Sequence, residues 1–325
     1  VARELTQRNA SEHYGEPILT KTPHRVMPMS QPLPPLPDTF DADLGLDLHM
    51  HSTASDGALS PQALTDACHA KGVTRFSLTD HDTVAGVAEA QRHAQSLGMR
   101  CLAGSELSTL WRGIGIHVVA LLPEGASGAL IPGLETQAQA RVSRAQEIAR
   151  RLEKIGLDDA LARAREQAGS ERPLGRPDFA KALVAAGVVP DMPTAFKKYL
   201  GAGKPGDVKT HWPYLSEVVE WIRDSQGIAV LAHPLRYRLT HRKRSQLLDS
   251  FREAGGEAAE LISGHQNADV GRDLARQLEA RDLMGSQGSD FHYPGGPLAP
   301  GVMSAPPRCS VTPVWRHPKL ARFAA

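Results

Sequence analysis

Leu44-Gly45-Leu46-Asp47-Leu48-His49-Met50-His51-Ser52 is the stretch from which the rest of the chain can be read. Its alternating leucines mark a strand, and residues i and i+2 of a strand point to one face. His49 and His51 therefore stand side by side at a strand end, and Asp56 follows shortly. Two imidazoles on one face make a metal clamp, but a lone His-x-His is about as often accidental. Repetition decides the matter. Asp80-His81-Asp82, Glu106, His233 and Asp290-Phe291-His292 each stand at or just past the end of a strand-like segment, and His117 stands early in one. Taken singly, Asp80, Asp82 or Asp290 reads as a helix cap and His117 as a half-buried histidine. Independent caps and core residues would not all collect at strand ends.

The segments between these residues alternate. Strands are read at 44–50, 73–78, 101–106 and 114–122. The helices between them run from the Ser60-Pro61 start to Gly72, and from 84 to 97. Residues 124–210 break the pattern. Ala138, Val142, Ala145, Ala149 and Leu152 recur at helical spacing, and further helices are read at 158–168, 178–186 and 193–200. Alternation resumes with helices at 215–224, 246–254 and 269–280 and strands at 228–233, 258–263 and 284–290; a short strand is expected at 310–314. This order predicts an α/β fold of parallel βα units closed into a barrel, with the chemistry at the C-terminal strand ends. The domain reading is a Pro-rich disordered extension over 1–43, a barrel over 44–123 and 211–315, a helical insertion over 124–210 that caps it, and a tail over 316–325.

Bulk properties exclude several classes. The net charge of +1 lacks the basic surplus of a dedicated duplex-DNA binder, so no duplex DNA is expected as partner. Three cysteines with no CxxC spacing read as reduced thiols. No apolar run approaches about 18 residues, and no secretory h-region is seen, so no membrane association and a cytoplasmic location are expected.

The candidate ligands are imidazoles and carboxylates without a thiolate, which suits Mn²⁺, Fe²⁺, Zn²⁺ or Ni²⁺ in an open site. These candidates exceed the needs of one ion, and two or three ions bridged by a carboxylate fit better. Clustered cations favour hydrolysis of phosphate esters, because they neutralise phosphoryl oxygens and acidify water.

Asp47-Leu-His-Met-His-Ser, Ser55-Asp-Gly, Thr79-Asp-His-Asp, Gly104-Ser-Glu-Leu-Ser, Ala232-His-Pro and Gly288-Ser-Asp-Phe-His together resemble the PHP (polymerase and histidinol phosphatase) family over roughly residues 44–315. The similarity is closest to its stand-alone branch of 3′,5′-nucleoside bisphosphate phosphatases and 5′→3′ exoribonucleases. It implies a distorted seven-stranded (βα) barrel with a trinuclear site, often manganese. The implied ligands are His49, His51, Glu106 and Asp290 for one metal, Asp56, His81 and His292 for a second, and Glu106, His117 and His233 for the third. Two departures stand out: Arg176-Pro-Asp178 replaces an Arg-x-His found in relatives, and the Gly/Pro-rich stretch 293–307 lacks their tryptophan.

Anionic substrates need further cations. Arg141 and Arg144 share one side of the first insertion helix, Arg176 opens another helix, Lys204 lies in a glycine-rich loop, and Arg236 follows His233-Pro234. These five are the candidate substrate-binding residues. Asp82 is the candidate for the leaving-group proton, and Tyr199, Tyr214, Tyr237 and Tyr293 for stacking a base. The expectation is a metal-dependent phosphoesterase acting on a 3′,5′-nucleoside bisphosphate, with Mn²⁺ as cofactor and Fe²⁺ or Zn²⁺ as alternatives. The rivals are a 5′→3′ exoribonuclease on short single-stranded, 5′-phosphorylated RNA and a non-catalytic metal-binding module.

Overall fold

In the computed structural model, which describes residues 33–41, 44–169, 172–209 and 211–325, seven strands pair in chain order. They are β1 (Leu46–Asp47), β2 (Arg75–Leu78), β3 (Arg100–Trp111), β4 (Ile114–Leu122), β5 (Ile228–Leu231), β6 (Ala258–Ser263) and β7 (Met284–Gly288). The two edges meet. Leu48 N donates to Gln287 O at 3.1 Å, Asp290 N to His49 O at 2.8 Å and His51 N to Phe291 O at 3.0 Å. The result is a nearly closed, distorted seven-stranded α/β barrel, as expected. Gly288 is required at this seam, since a Cβ there would fall 2.3 Å from the His49 Cβ.

Helices α1 (Pro61–Ala70) and α2 (Val87–Ser96) join the first three parallel strands. The Ser60 side chain caps α1 by accepting from Ala63 N, with Pro61 at the first helical position. The parallel expectation fails at β4, which pairs antiparallel with both β3 and β5. Arg112 and Gly113, at φ 49° and 75°, make a two-residue hairpin turn that leaves no room for a crossover helix. The reversal accounts for His117. It stands early in β4 but opposite Ser108 of β3, so it lies at the barrel end that carries Glu106. The strand expected at 310–314 is not formed; Pro313 makes a single bridge to Gly285.

Strand alternation sorts the core into two layers. Val118, Ala120, Ala229, Leu231, Ala259 and Leu261 pack outward on α7 (Leu215–Asp224), α8 (His241–Glu253) and α9 (Ala268–Glu279). Their neighbours Val119, Leu121, Val230 and Ala258 cluster with Leu46 and Leu48 across the interior. Trp315, Leu320 and Phe323 join this inner cluster and floor the barrel, together with Leu36.

The sequence expectation therefore changes at both chain ends. Residues 33–40, read as part of a disordered extension, and the tail pack together beneath the barrel. Leu36 N donates to Ala324 O at 2.8 Å, and Trp315 Nε1 to Pro37 O at 2.7 Å. Apolar Leu36 between prolines supplies the burial, and the prolines hold an extended path whose carbonyls are free to accept. The rest of the expected extension, 1–32 with His13 and His24, lies outside the described residues.

The inserted helices α3 (Leu130–Glu153), α4 (Ala160–Ala168), α5 (Arg176–Ala185) and α6 (Met192–Ala195), with a π-helical turn at Phe196–Leu200, enclose a core of their own. Ile148, Leu152, Phe179, Leu183 and Leu200 are buried there.

Candidate metal centre

All nine sequence-nominated ligands converge at the barrel mouth, and Glu106 organises them. Its Oε1 lies 2.8 Å from both His117 Nδ1 and His233 Nε2. Its Oε2 lies 3.1 Å from His49 Nε2, 3.2 Å from His51 Nε2 and 3.1 Å from His81 Nδ1. One carboxylate thus faces two sets of imidazoles. Three groups each bring donor atoms within 4.8 Å of one another: His49, His51, Glu106 and Asp290; His51, Asp56, His81 and His292; His81, Glu106 and His117. The first coincides with the set the resemblance implied, and the second holds the implied Asp56, His81 and His292 together with His51. In the third, His81 stands where His233 was expected, while His233 remains beside Glu106.

The backbone is strained where the ligands sit. His233, Asp290 and Asp82 have φ of 28°, 53° and 54°, a conformation that non-glycine residues hold only when the surroundings enforce it. Gly57 lets the Asp56 loop fold back tightly, since a Cβ there would come within 2.3 Å of His51 O. Asp80 fastens the same loop by accepting from Ser52 N at 2.8 Å, Ser52 Oγ at 2.6 Å and Ser55 Oγ at 2.5 Å.

The donor set fits divalent cations. His51 Nδ1, His81 Nδ1, Glu106 Oε2, His233 Nδ1 and Asp290 Oδ1 are buried without a hydrogen-bond partner, an arrangement that is costly unless a ligand completes it. His49 Nε2 and His51 Nε2 face each other at 3.1 Å. The Glu260 carboxylate, 2.6 Å from His49 Nδ1, favours the tautomer that carries the proton there and turns the Nε2 lone pair into the site. Electrostatics agree. Burial pulls the His51 pKa down, yet Asp290 and Glu106 outweigh it and push it up to about 10. Burial would raise Glu106, but His49, His117 and His81 hold it well below the ordinary carboxylate range. Asp56 is likewise lowered against its burial by His81 and His292. The cluster calls for positive charge, which a bound cation supplies.

Beside this cluster lies a cavity of about 1000 Å³ between barrel and insertion. Arg141, Arg144, Arg176, Lys204 and Arg236 all line it, together with Lys197, Lys209 and Arg238. Two of the nominated residues also have ion-pair partners of their own. Arg236 pairs with the Asp290 carboxylate, so it steadies a candidate ligand. Asp82 accepts from Ser108 N at 2.6 Å, Ser108 Oγ at 2.9 Å and Arg141 Nε at 2.6 Å. Those three donors tie it to Ser108 and to Arg141. Arg144 donates from Nε to Val208 O at 2.8 Å; burial, with Arg176 and Arg141 nearby, lowers its pKa to about 9. Asp178 accepts from Arg172 at 2.7 and 3.0 Å and from Gly175 N at 2.8 Å, closing the start of α5.

Of the four tyrosines named from the sequence, Tyr237 lines the cavity. Tyr237 is wedged in the wall, accepting from His117 N and donating to Ala232 O, each at 2.9 Å. Tyr199 packs against the insertion's core, and Tyr214 and Tyr293 are exposed away from the cavity. The aromatic that the sequence reading missed is Trp212. It lines the cavity with the guanidinium carbons of Arg141 and Arg144 at 5.5 and 5.2 Å from its ring centroid. Glu260 was missed as well; its signal was a carboxylate inside the otherwise apolar run Ala258–Ser263.

A barrel whose mouth gathers carboxylates and imidazoles beside a cationic cavity defines a metal-dependent hydrolase of phosphate esters. Comparison with known proteins agrees. The PHP domain profile matches residues 47–156. The chain is 41% identical to a 5′-3′ exoribonuclease of Haemophilus influenzae, over 83% of this chain and 97% of that one. It is 37% identical to a 3′,5′-nucleoside bisphosphate phosphatase of Chromobacterium violaceum, over 84% and 95% of the two chains. A solved amidohydrolase structure from C. violaceum, with bound sulfate and no metal, superposes with a TM-score of 0.79 at 36% identity, over 86% and 96% of the chains. The chain belongs to the PHP family and is a metal-dependent phosphoesterase.

Proposed function

We propose that the chain removes the 3′-phosphate of 3′,5′-nucleoside bisphosphates. One observation carries this reading. Among the described residues, eight lysine and arginine side chains, of which Arg141 and Arg236 are paired with Asp82 and Asp290, and two carboxylates, Asp56 and Asp207, line the cavity that opens directly onto the ligand cluster. A substrate with one phosphate at the cluster and a second some distance away matches that charge pattern.

The nine ligands would hold two or three divalent ions, Mn²⁺ foremost. Such ions would supply Lewis acidity to the scissile phosphoryl group and make water acidic enough to attack at neutral pH. The chain's own residues do the rest. Arg144 and Arg176 bind the 5′-phosphate, Asp82 and Trp212 hold Arg141 toward the cluster, and Lys204 closes the rim. The oxygen of water bonds to phosphorus, the bond from phosphorus to the 3′-oxygen breaks, and that oxygen leaves with the electron pair and takes up a proton. The products are a nucleoside 5′-phosphate and inorganic phosphate. The likeness to a named exoribonuclease supports a second reading, release of 5′-nucleotides from short 5′-phosphorylated RNA, which breaks the same kind of bond.

Turnover by Mn²⁺-loaded protein tests the proposal. 3′,5′-Bisphosphoadenosine should be hydrolysed with a kcat/KM at least about tenfold above that of adenosine 3′-phosphate, which lacks the distal phosphate. Equal values would remove the role of the cationic cavity. Much faster turnover of 5′-phosphorylated oligomers would put the exoribonuclease reading in its place.

A further inference from the structure

A second cavity, of about 410 Å³, adjoins the same cluster. It shares Asp56, His81, Arg141 and Gly175 with the large one, and in other respects it is chemically unlike it. Val84, Ala85, Leu134, Ala138 and Pro173 give it apolar walls. Its two arginines are both paired, Arg141 with Asp82 at 2.6 Å and Arg172 with Asp178 at 2.7 Å. Glu135, with an exposed side chain, is its remaining carboxylate beside Asp56 and Asp82 among the described residues. Among the described residues a phosphate here would meet no unpaired arginine or lysine, and burying one uncompensated is costly. A sugar and base, neutral and flat, suit such walls, and the volume lies within the about 300–1,000 Å³ of small-molecule sites.

We propose that this second cavity binds the nucleoside joined through its 5′-oxygen to the scissile phosphate. The inference rests on the reading of the large cavity as the site of the 5′-phosphorylated nucleotide. In a bisphosphate the scissile phosphate ends in free oxygens. In an oligonucleotide one of those oxygens is esterified to the next nucleoside, which must leave the cluster by a route the first nucleotide does not fill. The second cavity is that route, and Glu135 can accept a hydrogen bond from a ribose hydroxyl or a base amino group. Water adds to phosphorus, the bond to the 3′-oxygen of the first nucleotide breaks, and that oxygen takes a proton. The products are a nucleoside 5′-phosphate and a 5′-phosphorylated remainder. One cluster then serves both substrates, and the second cavity admits the diester.

Ala138→Trp and Ala85→Trp each place bulk in this cavity from its apolar wall, and neither replaces a candidate ligand. Both variants, loaded with Mn²⁺, would be assayed on 3′,5′-bisphosphoadenosine and on the 5′-phosphorylated diadenylate. The expected result is a fall of at least about tenfold in kcat/KM for the dinucleotide, with the bisphosphate within about twofold. Calorimetric affinity for a dinucleotide with a non-hydrolysable scissile linkage should fall in step. Parallel losses on both substrates, or no change on either, would overturn the inference. So would a parent protein that hydrolyses the bisphosphate and leaves the dinucleotide intact; that outcome leaves the reading of the large cavity standing. A parent that cleaves only the dinucleotide, with the variants impaired, would support the second cavity and overturn the bisphosphate proposal.

Discussion

The two ends of the barrel bury charge in opposite ways. At the floor, Arg75 is buried, and its donors reach Phe323 O at 2.9 Å, Pro34 O at 2.8 Å and Ala325 O at 2.7 Å. Around it Trp315, Leu320 and Phe323 fill the interior. At the mouth, five buried donor or acceptor atoms on ligand-type residues have no hydrogen-bond partner, and the backbone of His233 and Asp290 is strained. A satisfied buried charge ties segments together. An unsatisfied cluster costs stability and is retained where a ligand completes it. Substitutions at the two ends should therefore separate cleanly into effects on turnover and effects on stability.

The largest effect is expected at the mouth. His81→Ala and Asp290→Ala should each lower turnover by at least about a hundredfold, with metal content reduced and the fold retained. Atomic absorption and a melting curve check both halves, and full activity at unchanged metal stoichiometry would break the comparison. At the floor, Trp315→Ala should cost about 3–5 kcal/mol of stability by leaving a cavity, while kcat of the folded protein stays near the parent value. Denaturant titration reads the first quantity and steady-state kinetics the second.

Arg144→Glu sharpens the contrast within the mouth. It should raise KM for the bisphosphate at least about tenfold and leave p-nitrophenyl phosphate, which has no second phosphate, nearly unchanged. Equal effects on both would make Arg144 structural. The smallest effect concerns the N-terminal stretch. Removing residues 1–32 should keep activity within about twofold, since no candidate ligand lies there. Removal through residue 43 also takes away Leu36 and the carbonyls of Pro34 and Pro37, and should lower the melting temperature.

Protonation gives a further contrast. The metal-free fold holds His51 at about 10, above its ordinary 6.5, despite burial, because Asp290 and Glu106 face it. The stability this contributes is full below pH 6.5 and is lost as pH rises through about 10. Metal loading at neutral pH must displace that proton. Calorimetry in buffers of different ionisation enthalpy should show proton release, and its absence would contradict the charge balance described for the cluster.

Much of this was legible in the sequence because strand period and ligand type are local signals. The His49–His51 pair, Glu106 and Asp290–His292 announce themselves at strand ends. Strand direction is not local. The pattern of Ile114–Leu122 reads the same either way, so the reversal of β4 and the correct place of His117 appeared only with the pairing. Roles set by partners were also hidden. The three donors to Asp82 and the pairing of Arg236 with Asp290 came into view only with the fold. Trp212 and Glu260 act through neighbours distant in the chain, Arg141 and Arg144 for one and His49 and His233 for the other.

The most direct test of the central claim is titration of chelator-stripped protein with Mn²⁺, following bound metal and hydrolysis of 3′,5′-bisphosphoadenosine together. The geometry of the mouth predicts two to three equivalents bound, with turnover rising in step with loading and phosphate released from the 3′ position. Undiminished turnover by the stripped protein, or stoichiometric binding with no hydrolysis of any phosphate ester, would contradict it.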